Sequence, residues 1–385
     1  MKDFIFRMPG RVEVGYSKSK QMIKIIKEMG IKRLLIVADH NLIKNRIIDD
    51  LFNILDNEKI NYQVFDDVKQ EPTIDEIDQA IQELKVLLNY DGVVGIGGGS
   101  TIDVAKLLAV SGNINGSIKE YVGTNLIVKQ GIPMIMIPTT SGTGAEATPN
   151  AIVKDEQEKV KKGIVSPFLI PDVVILDPAL TQSLPAKITA ETGIDAFTHA
   201  IECFIGKKSN PVSDLFCLGS IKLVMENLFS AVKNGQDKKA RYNMILASFY
   251  GGVAIANSGT GGVHALAYPL GGKYNISHGL SNALLLNTVM EFNVNKVTEK
   301  FIEIARFIGL ENKYTNKETI VLTMLNKIKD LVNNVGISPE TFKFSKTEID
   351  DLANSAMTQE RLLQNNPRPI SLDDAKNIYQ KTFVI

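Results

Sequence analysis

Cysteine is scarce in this chain: Cys203 and Cys217 are the only two, and they form no C-x-x-C pair. A disulfide framework is therefore excluded, and a reducing, cytoplasmic setting is expected. Net charge is missing as well, with 43 basic residues against 43 acidic ones. No basic run or aromatic–basic interleaving points to nucleic acid as a partner. No stretch approaches 18 uncharged apolar residues, so no membrane span is expected. The first ten residues lack the apolar core of a signal peptide. Neither repeats nor low-complexity segments occur. Histidine is the other rarity, with four in the chain: His40, His199, His264 and His278.

The remaining composition, 44% hydrophobic and 22% charged, is that of an ordinary soluble globular protein. At 385 residues the chain is too long for one typical core, so two domains are expected. Residues 4–14 read as two short strands about Pro9-Gly10. Residues 17–29 have helical spacing (Met22, Ile25, Ile26, Met29) closed by Gly30. Residues 32–39 are a near-continuous apolar run, as a parallel strand buried on both faces requires. A helix over 47–57, a strand over 62–66 and an amphipathic helix after Pro72 (Ile74, Ile77, Ile81, Leu84, Leu88) follow. Then come a strand over 92–96, a helix over 101–110, and strands over 133–138 and 172–177. The charged segment 154–162 reads as a surface hairpin. Strands alternating with helices imply a mostly parallel sheet covered by helices. Beyond Pro178 the pattern is helix after helix, with breaks at Gly193, Asn210-Pro211, residues 259–262, Gly309, residues 336–339 and Asn366-Pro367. The expectation is an α/β domain over 1–184 and an all-α domain over 185–385, with a ligand in the cleft between them.

Four stretches carry chemistry. Residues 97–103, Gly-Gly-Gly-Ser-Thr-Ile-Asp, join a buried strand to a helix. Backbone N–H groups and the helix dipole there favour a phosphate, and glycines let a pyrophosphate approach. The alternative is a plain tight turn. Asp39 ends an earlier strand, where it either accepts from a ribose and repels a 2′-phosphate or caps the next helix. Residues 138–146, Pro-Thr-Thr-Ser-Gly-Thr-Gly-Ala-Glu, offer four hydroxyls after a strand end. Asp195 and His199 are spaced i, i+4 on one helix face, which serves either a metal or a local Asp–His hydrogen bond. His264 and His278 lie in the glycine-rich stretch 257–283, and one Asp with three His would suit Fe2+ or Zn2+. His40 stands apart from this set.

These motifs, in this order, resemble the iron-containing (group III) alcohol dehydrogenase family over the full chain. The resemblance implies a dehydroquinate synthase-like fold: an α/β N-terminal dinucleotide-binding domain and an all-α C-terminal domain. It implies metal ligation by Asp195, His199, His264 and His278. It places a pyrophosphate on Gly97, Gly98, Gly99 and Ser100, with Asp103 behind them. Thr139, Thr140, Thr143 and Thr148 fall near the cofactor, and Lys161 aligns with a lysine that reaches the nicotinamide ribose. Asp39 implies NAD over NADP. The implied reaction is hydride transfer between a small primary alcohol or aldehyde and NAD(H), with Fe2+ expected before Zn2+, in a homodimer or larger homo-oligomer. One position departs: many members have His-x-x-x-His where this chain has His264-Ala-Leu-Ala-Tyr268. A tyrosine, with a pKa of about 10, alters the proton route, which then runs through water, a ribose hydroxyl or Tyr268. Relatives with tyrosine there include hydroxyacid–oxoacid transhydrogenases, which is the alternative activity.

Overall fold

The computed structural model describes residues 3–86, 90–158, 160–310 and 316–384. Two compact units emerge: Met8–Ser183, and Leu184–Ile385 together with the N-terminal residues through Arg7. The sequence expectation put those N-terminal residues with the sheet.

The first unit is built on β1 (Arg11–Val14), β2 (Arg33–Ala38), β3 (Asn61–Phe65), β4 (Gly92–Gly97), β6 (Met134–Pro138) and β9 (Val173–Leu176). They form a six-stranded sheet in the order β1-β9-β6-β4-β2-β3, and every pairing is parallel. β4 and β6 are buried along their whole length, which explains their unbroken apolar runs. Alternation divides the strand side chains between two faces. Leu35, Val37, Val93 and Met136 meet one core with α4 (Ile74–Val86) and α5 (Gly99–Ala109). Leu34, Ile36, Val94 and Ile137 meet the other with α1 (Met22–Glu28) and α3 (Asp49–Asn57). Leu88, expected on α4, lies outside the described residues. A second, three-stranded sheet contains β5 (Gly123–Thr124), β7 (Asn150–Asp155) and β8 (Val160–Val165). β7 and β8 form the expected hairpin, with Lys154 opposite Lys161.

Strand order fixes where a ligand belongs. The chain steps from β2 outward to β3, then crosses back to the opposite side of β2 to lay down β4. The crevice outside the carboxyl ends of β2 and β4 is thus a topological switch point. The short α2 (His40–Lys44) begins at that end of β2.

Residues 4–8 are not a strand; the expected pair of strands reduces to β1. The segment is held otherwise. Arg7 N donates to Asn257 Oδ1, Asn257 Nδ2 donates to Arg7 O, and Phe6 stacks on Phe216. With those groups engaged and Pro9 lacking an N–H, no ladder extends beyond Arg11.

The second unit contains α6 (Ala186–Ile205), α7 (Pro211–Lys233), α8 (Lys238–Ser258), α9 (Gly262–Tyr274), α10 (His278–Asn293) and α11 (Thr298–Phe307). The remaining helices are α12 (Lys317–Asn334), α13 (Lys346–Met357), α14 (Glu360–Asn365) and α15 (Leu372–Thr382). The break expected at Gly193 does not occur; α6 runs through it. A Cβ there would stand 2.2 Å from Leu228 Cδ1, so the glycine lets α7 approach closely. α7 is long and apolar enough, by composition, to cross a membrane. Its Cys217, Ile221, Val224 and Leu228 are nevertheless buried in the helical core, and its Asp214 pairs with Lys300. Cys203 and Cys217 are both free thiols in that core.

Candidate metal centre and dinucleotide loops

Three helices of the second unit converge on one point. α6 supplies Asp195 and His199, α9 supplies His264 in its first turn, and α10 opens with His278. One ligand atom from each lies within 4.8 Å of all the others. Asp195 Oδ1 is the hub: the Nε2 atoms of His199 and His278 are 3.6 Å from it and that of His264 is 3.8 Å away. The rings of His199 and His264 stack at 4.7 Å. Burial alone would raise the Asp195 carboxyl. The charges of His199, His278 and His264, with the amide of Asn282, outweigh it and hold the group below its ordinary value.

One carboxylate and three imidazoles, all but His278 nearly sealed from solvent, make a borderline donor set suited to a divalent transition metal. The residues fit such an ion, because four donor atoms within 4.8 Å need only small shifts to reach bonding distance. The His278 side chain keeps 29% of its surface exposed and marks the accessible side of the set. Tyr268, one turn after His264 and half-buried, has its ring 5.9 Å from His278 and 6.5 Å from His264.

Two further residues at the donor set were not anticipated. Glu202, on the same face of α6 at i+3 from His199, is buried. It accepts from Gly261 N at 3.1 Å and Val263 N at 2.5 Å, and it meets His264 Nδ1 at 2.6 Å. Asn282, one turn after His278, donates from Nδ2 to Asp195 Oδ1 at 2.7 Å. The same nitrogen lies 3.2 and 3.3 Å from the Nε2 atoms of His264 and His278. The spacings i, i+4, i+7 (Asp195, His199, Glu202) and i, i+4 (His278, Asn282) put both residues on the donor faces of their helices but do not by themselves assign them a partner. Gly279 has a steric role: α10 passes α6 so closely that a Cβ there would stand 2.4 Å from Glu191 O.

In the first unit the dinucleotide candidates gather at the carboxyl ends of β2, β4 and β6. Ala38 pairs with Ile96 and Gly97 with Pro138, so Asp39, Gly97 and Thr139 stand nearly level on three adjacent strands. Gly98 caps α5 without a side-chain cap, the arrangement that leaves N–H groups for an anion. A Cβ on Gly99 would come within 2.8 Å of Thr143 Cγ2, and one on Gly98 within 3.4 Å of Thr140 Cγ2. The glycine loop and the threonine loop are therefore one packed surface. Asp39 also caps α2, accepting from Asn41 N at 2.8 Å with Oδ1, so the two readings of this residue are compatible.

Other candidates face inward or are already paired. Asp103 accepts from Ile152 N and lies 3.7 Å from Lys106 Nζ, which in turn donates to Thr148 Oγ1 and to the carbonyls of Thr148 and Asn150. Burial pushes Asp103 up to about 6, Glu146 up to about 7 and Lys106 down to about 8. Asp103 and Thr148 thus brace the loop from behind. Lys161 pairs with Glu71 Oε1 at 2.6 Å, and Glu71 N donates to Ser100 Oγ, linking the lysine to the glycine loop. His40, in this unit, meets Asp66 Oδ2.

Residues 9–178 match the family description "Iron-containing alcohol dehydrogenase", and residues 189–383 match "Fe-containing alcohol dehydrogenase family, C-terminal". Long-chain-alcohol dehydrogenase 1 of Geobacillus thermodenitrificans is 36% identical over 381 residues, 97% of this chain and 95% of the relative. The NAD-dependent methanol dehydrogenase of Bacillus methanolicus is 32% identical, covering 98% of this chain and 99% of the relative. The crystal structure of a 1,3-propanediol oxidoreductase superposes with a TM-score of 0.94 at 30% identity, over 99% of this chain and 100% of that one.

Proposed function

The chain belongs to the iron-containing alcohol dehydrogenase family and is a metal-dependent alcohol dehydrogenase, and we propose that it interconverts a small primary alcohol and its aldehyde using NAD(H), with Fe2+ as its metal. The observation that carries this reading is the convergence of Asp195, His199, His264 and His278 on one point. When bound, a divalent cation supplies Lewis acidity toward a substrate oxygen, and a nicotinamide supplies the hydride acceptor.

The chain's own residues divide the remaining work. Asp195 and the three histidines hold the cation, and the exposed edge of His278 leaves room for a small substrate. Tyr268, beside that edge, is the side chain suited to pass the alcohol proton toward solvent. Gly97, Gly98, Gly99 and Ser100 receive the pyrophosphate; Thr139, Thr140 and Thr143 border it, and Lys161 reaches the nicotinamide ribose. Asp39 accepts from the adenosine ribose, and its charge disfavours a 2′-phosphate. The two free, buried thiols support a cytoplasmic location. β1 at the sheet edge, with Phe4, Ile5 and Met8 exposed nearby in sequence, supports a homodimer formed through this region.

The test is metal analysis of anaerobically purified protein, followed by an alcohol and aldehyde panel with NAD and with NADP. His264→Ala is expected to lose both the metal and NAD-linked turnover; retention of both would overturn the reading. Turnover between a hydroxy acid and an oxo acid with no added nicotinamide would overturn it in favour of a transhydrogenase.

A further inference from the structure

We infer that Glu202 is a positioning residue for the metal centre, one that fixes which nitrogen of His264 faces the ion. The inference rests on reading the four-donor cluster as a metal site. Both oxygens of the Glu202 side chain act as acceptors. Oε1 takes Val263 N at 2.5 Å, and Oε2 takes Gly261 N at 3.1 Å. The third neighbour, His264 Nδ1 at 2.6 Å from Oε2, must then donate its proton. With the proton on Nδ1, the Nε2 lone pair points toward Asp195 Oδ1 and the other two histidines, where a cation would sit. A carboxylate behind a ligating imidazole also makes that imidazole a stronger donor.

The geometry lets one helix do two jobs. α6 contributes Asp195 and His199 as donors, and its next turn holds Glu202 against the start of α9. The carboxylate lies at the N-terminus of α9, where N–H groups and the helix dipole favour it. His264 is therefore oriented by the element that carries two of its fellow donors. The residue is 2% exposed, so water does not replace the contact.

Glu202→Gln separates this role from bulk. The amide keeps one acceptor oxygen and replaces the other with an NH2 group that only donates, so it cannot satisfy two backbone N–H groups and an Nδ1–H approaching from both ends. If its NH2 group faces His264, the ring proton moves to Nε2 and blocks the donor. The experiment uses full-length protein titrated with Co2+ and Zn2+ in separate runs, with NAD binding and circular dichroism as controls. The expected result is 10–100-fold weaker metal binding for E202Q, an altered visible Co2+ spectrum, and unchanged NAD affinity. Wild-type affinity and spectrum in E202Q would overturn the inference while leaving the metal reading intact. Failure of the wild-type protein to bind either ion would instead sink the metal reading. Should E202Q not fold, the histidine 15N spectrum of Zn2+-loaded wild-type protein decides, aided by there being only four histidines. A proton on His264 Nδ1 supports the inference, and an unprotonated Nδ1 refutes it.

Discussion

Gly279 and Glu191 touch backbone to backbone: a Cβ added at Gly279 would fall 2.4 Å from the Glu191 carbonyl oxygen. Gly279 follows His278 in the first turn of α10, while Glu191 lies on α6 one turn before Asp195. Gly279→Ala is therefore expected to push His278 away from Asp195. The overpacking should cost about 1–3 kcal/mol of stability and lower metal affinity at least roughly tenfold, as misplacing one of four donors does. Thermal melts with and without Zn2+ would check this, and an unshifted melt with normal metal content would contradict it.

The proposed ribose contact of Asp39 predicts a change in cofactor preference. Asp39→Gly removes the charge that a 2′-phosphate would meet and also the cap on α2. The expected outcome is a tenfold or greater rise in the kcat/KM ratio of NADP to NAD, about 1.4 kcal/mol or more. A modest loss of stability, about 1 kcal/mol, should accompany it from the lost cap. A cofactor ratio that does not move would remove Asp39 from the ribose site.

The buried trio behind the glycine loop, Asp103, Lys106 and Glu146, predicts a pH dependence of stability. Burial raises Asp103 from 3.8 to about 6 and Glu146 from 4.5 to about 7. The folded protein thus keeps these protons to higher pH than the unfolded chain does. Their contribution is fully present below pH 4 and is lost as pH rises through about 6 to 7. Lys106, lowered by burial from 10.5 to about 8, works in the opposite sense: stability recovers between about 8 and 10.5. Glu146 Oε1 is buried without a hydrogen-bond partner among the described residues. Glu146→Gln should therefore raise stability at pH 8 by roughly 1–3 kcal/mol and flatten the decline between pH 5 and 8. Denaturant melts across that range are the measurement; an unchanged slope would mean that Glu146 does not titrate there.

Tyr268 predicts a shift in the pH profile of turnover. Its ring lies 5.9 Å from that of His278, on the accessible side of the donor set. Tyr268→His puts a group of different proton affinity there and is expected to change the pH profile of kcat for alcohol oxidation. Tyr268→Phe should lower kcat roughly a hundredfold or more, the scale of losing a general acid–base group. Identical profiles for wild type and both variants would assign the proton to water or a ribose hydroxyl.

The parallel strands were legible because burial on both faces leaves a continuous apolar run, as in residues 33–38. The four-residue candidate metal site was partly legible because histidine is rare and Asp195 and His199 share a helix face; its assignment as a ligand set came with the family resemblance. Glu202 and Asn282 escaped notice for a physical reason. Their partners lie 62 and 87 residues away, and glutamate and asparagine have many ordinary uses on helices. Gly193 looked like a helix break because the neighbour it accommodates, Leu228, belongs to a different helix. Residues 4–8 are mostly apolar, as a strand can be, but the backbone N–H and carbonyl of Arg7 are taken by Asn257. The two-residue β5 is too short to leave any periodicity.

The two donors on α6 are far in sequence from His264 on α9 and His278 on α10, so a bound ion would act as a removable cross-link closing a long loop. Such a link stabilises the native chain in proportion to the logarithm of free ion concentration, about 2.7 kcal/mol at a hundred times the dissociation constant. The helical unit then has no single melting point: its heat resistance becomes a gauge of how much metal its surroundings supply.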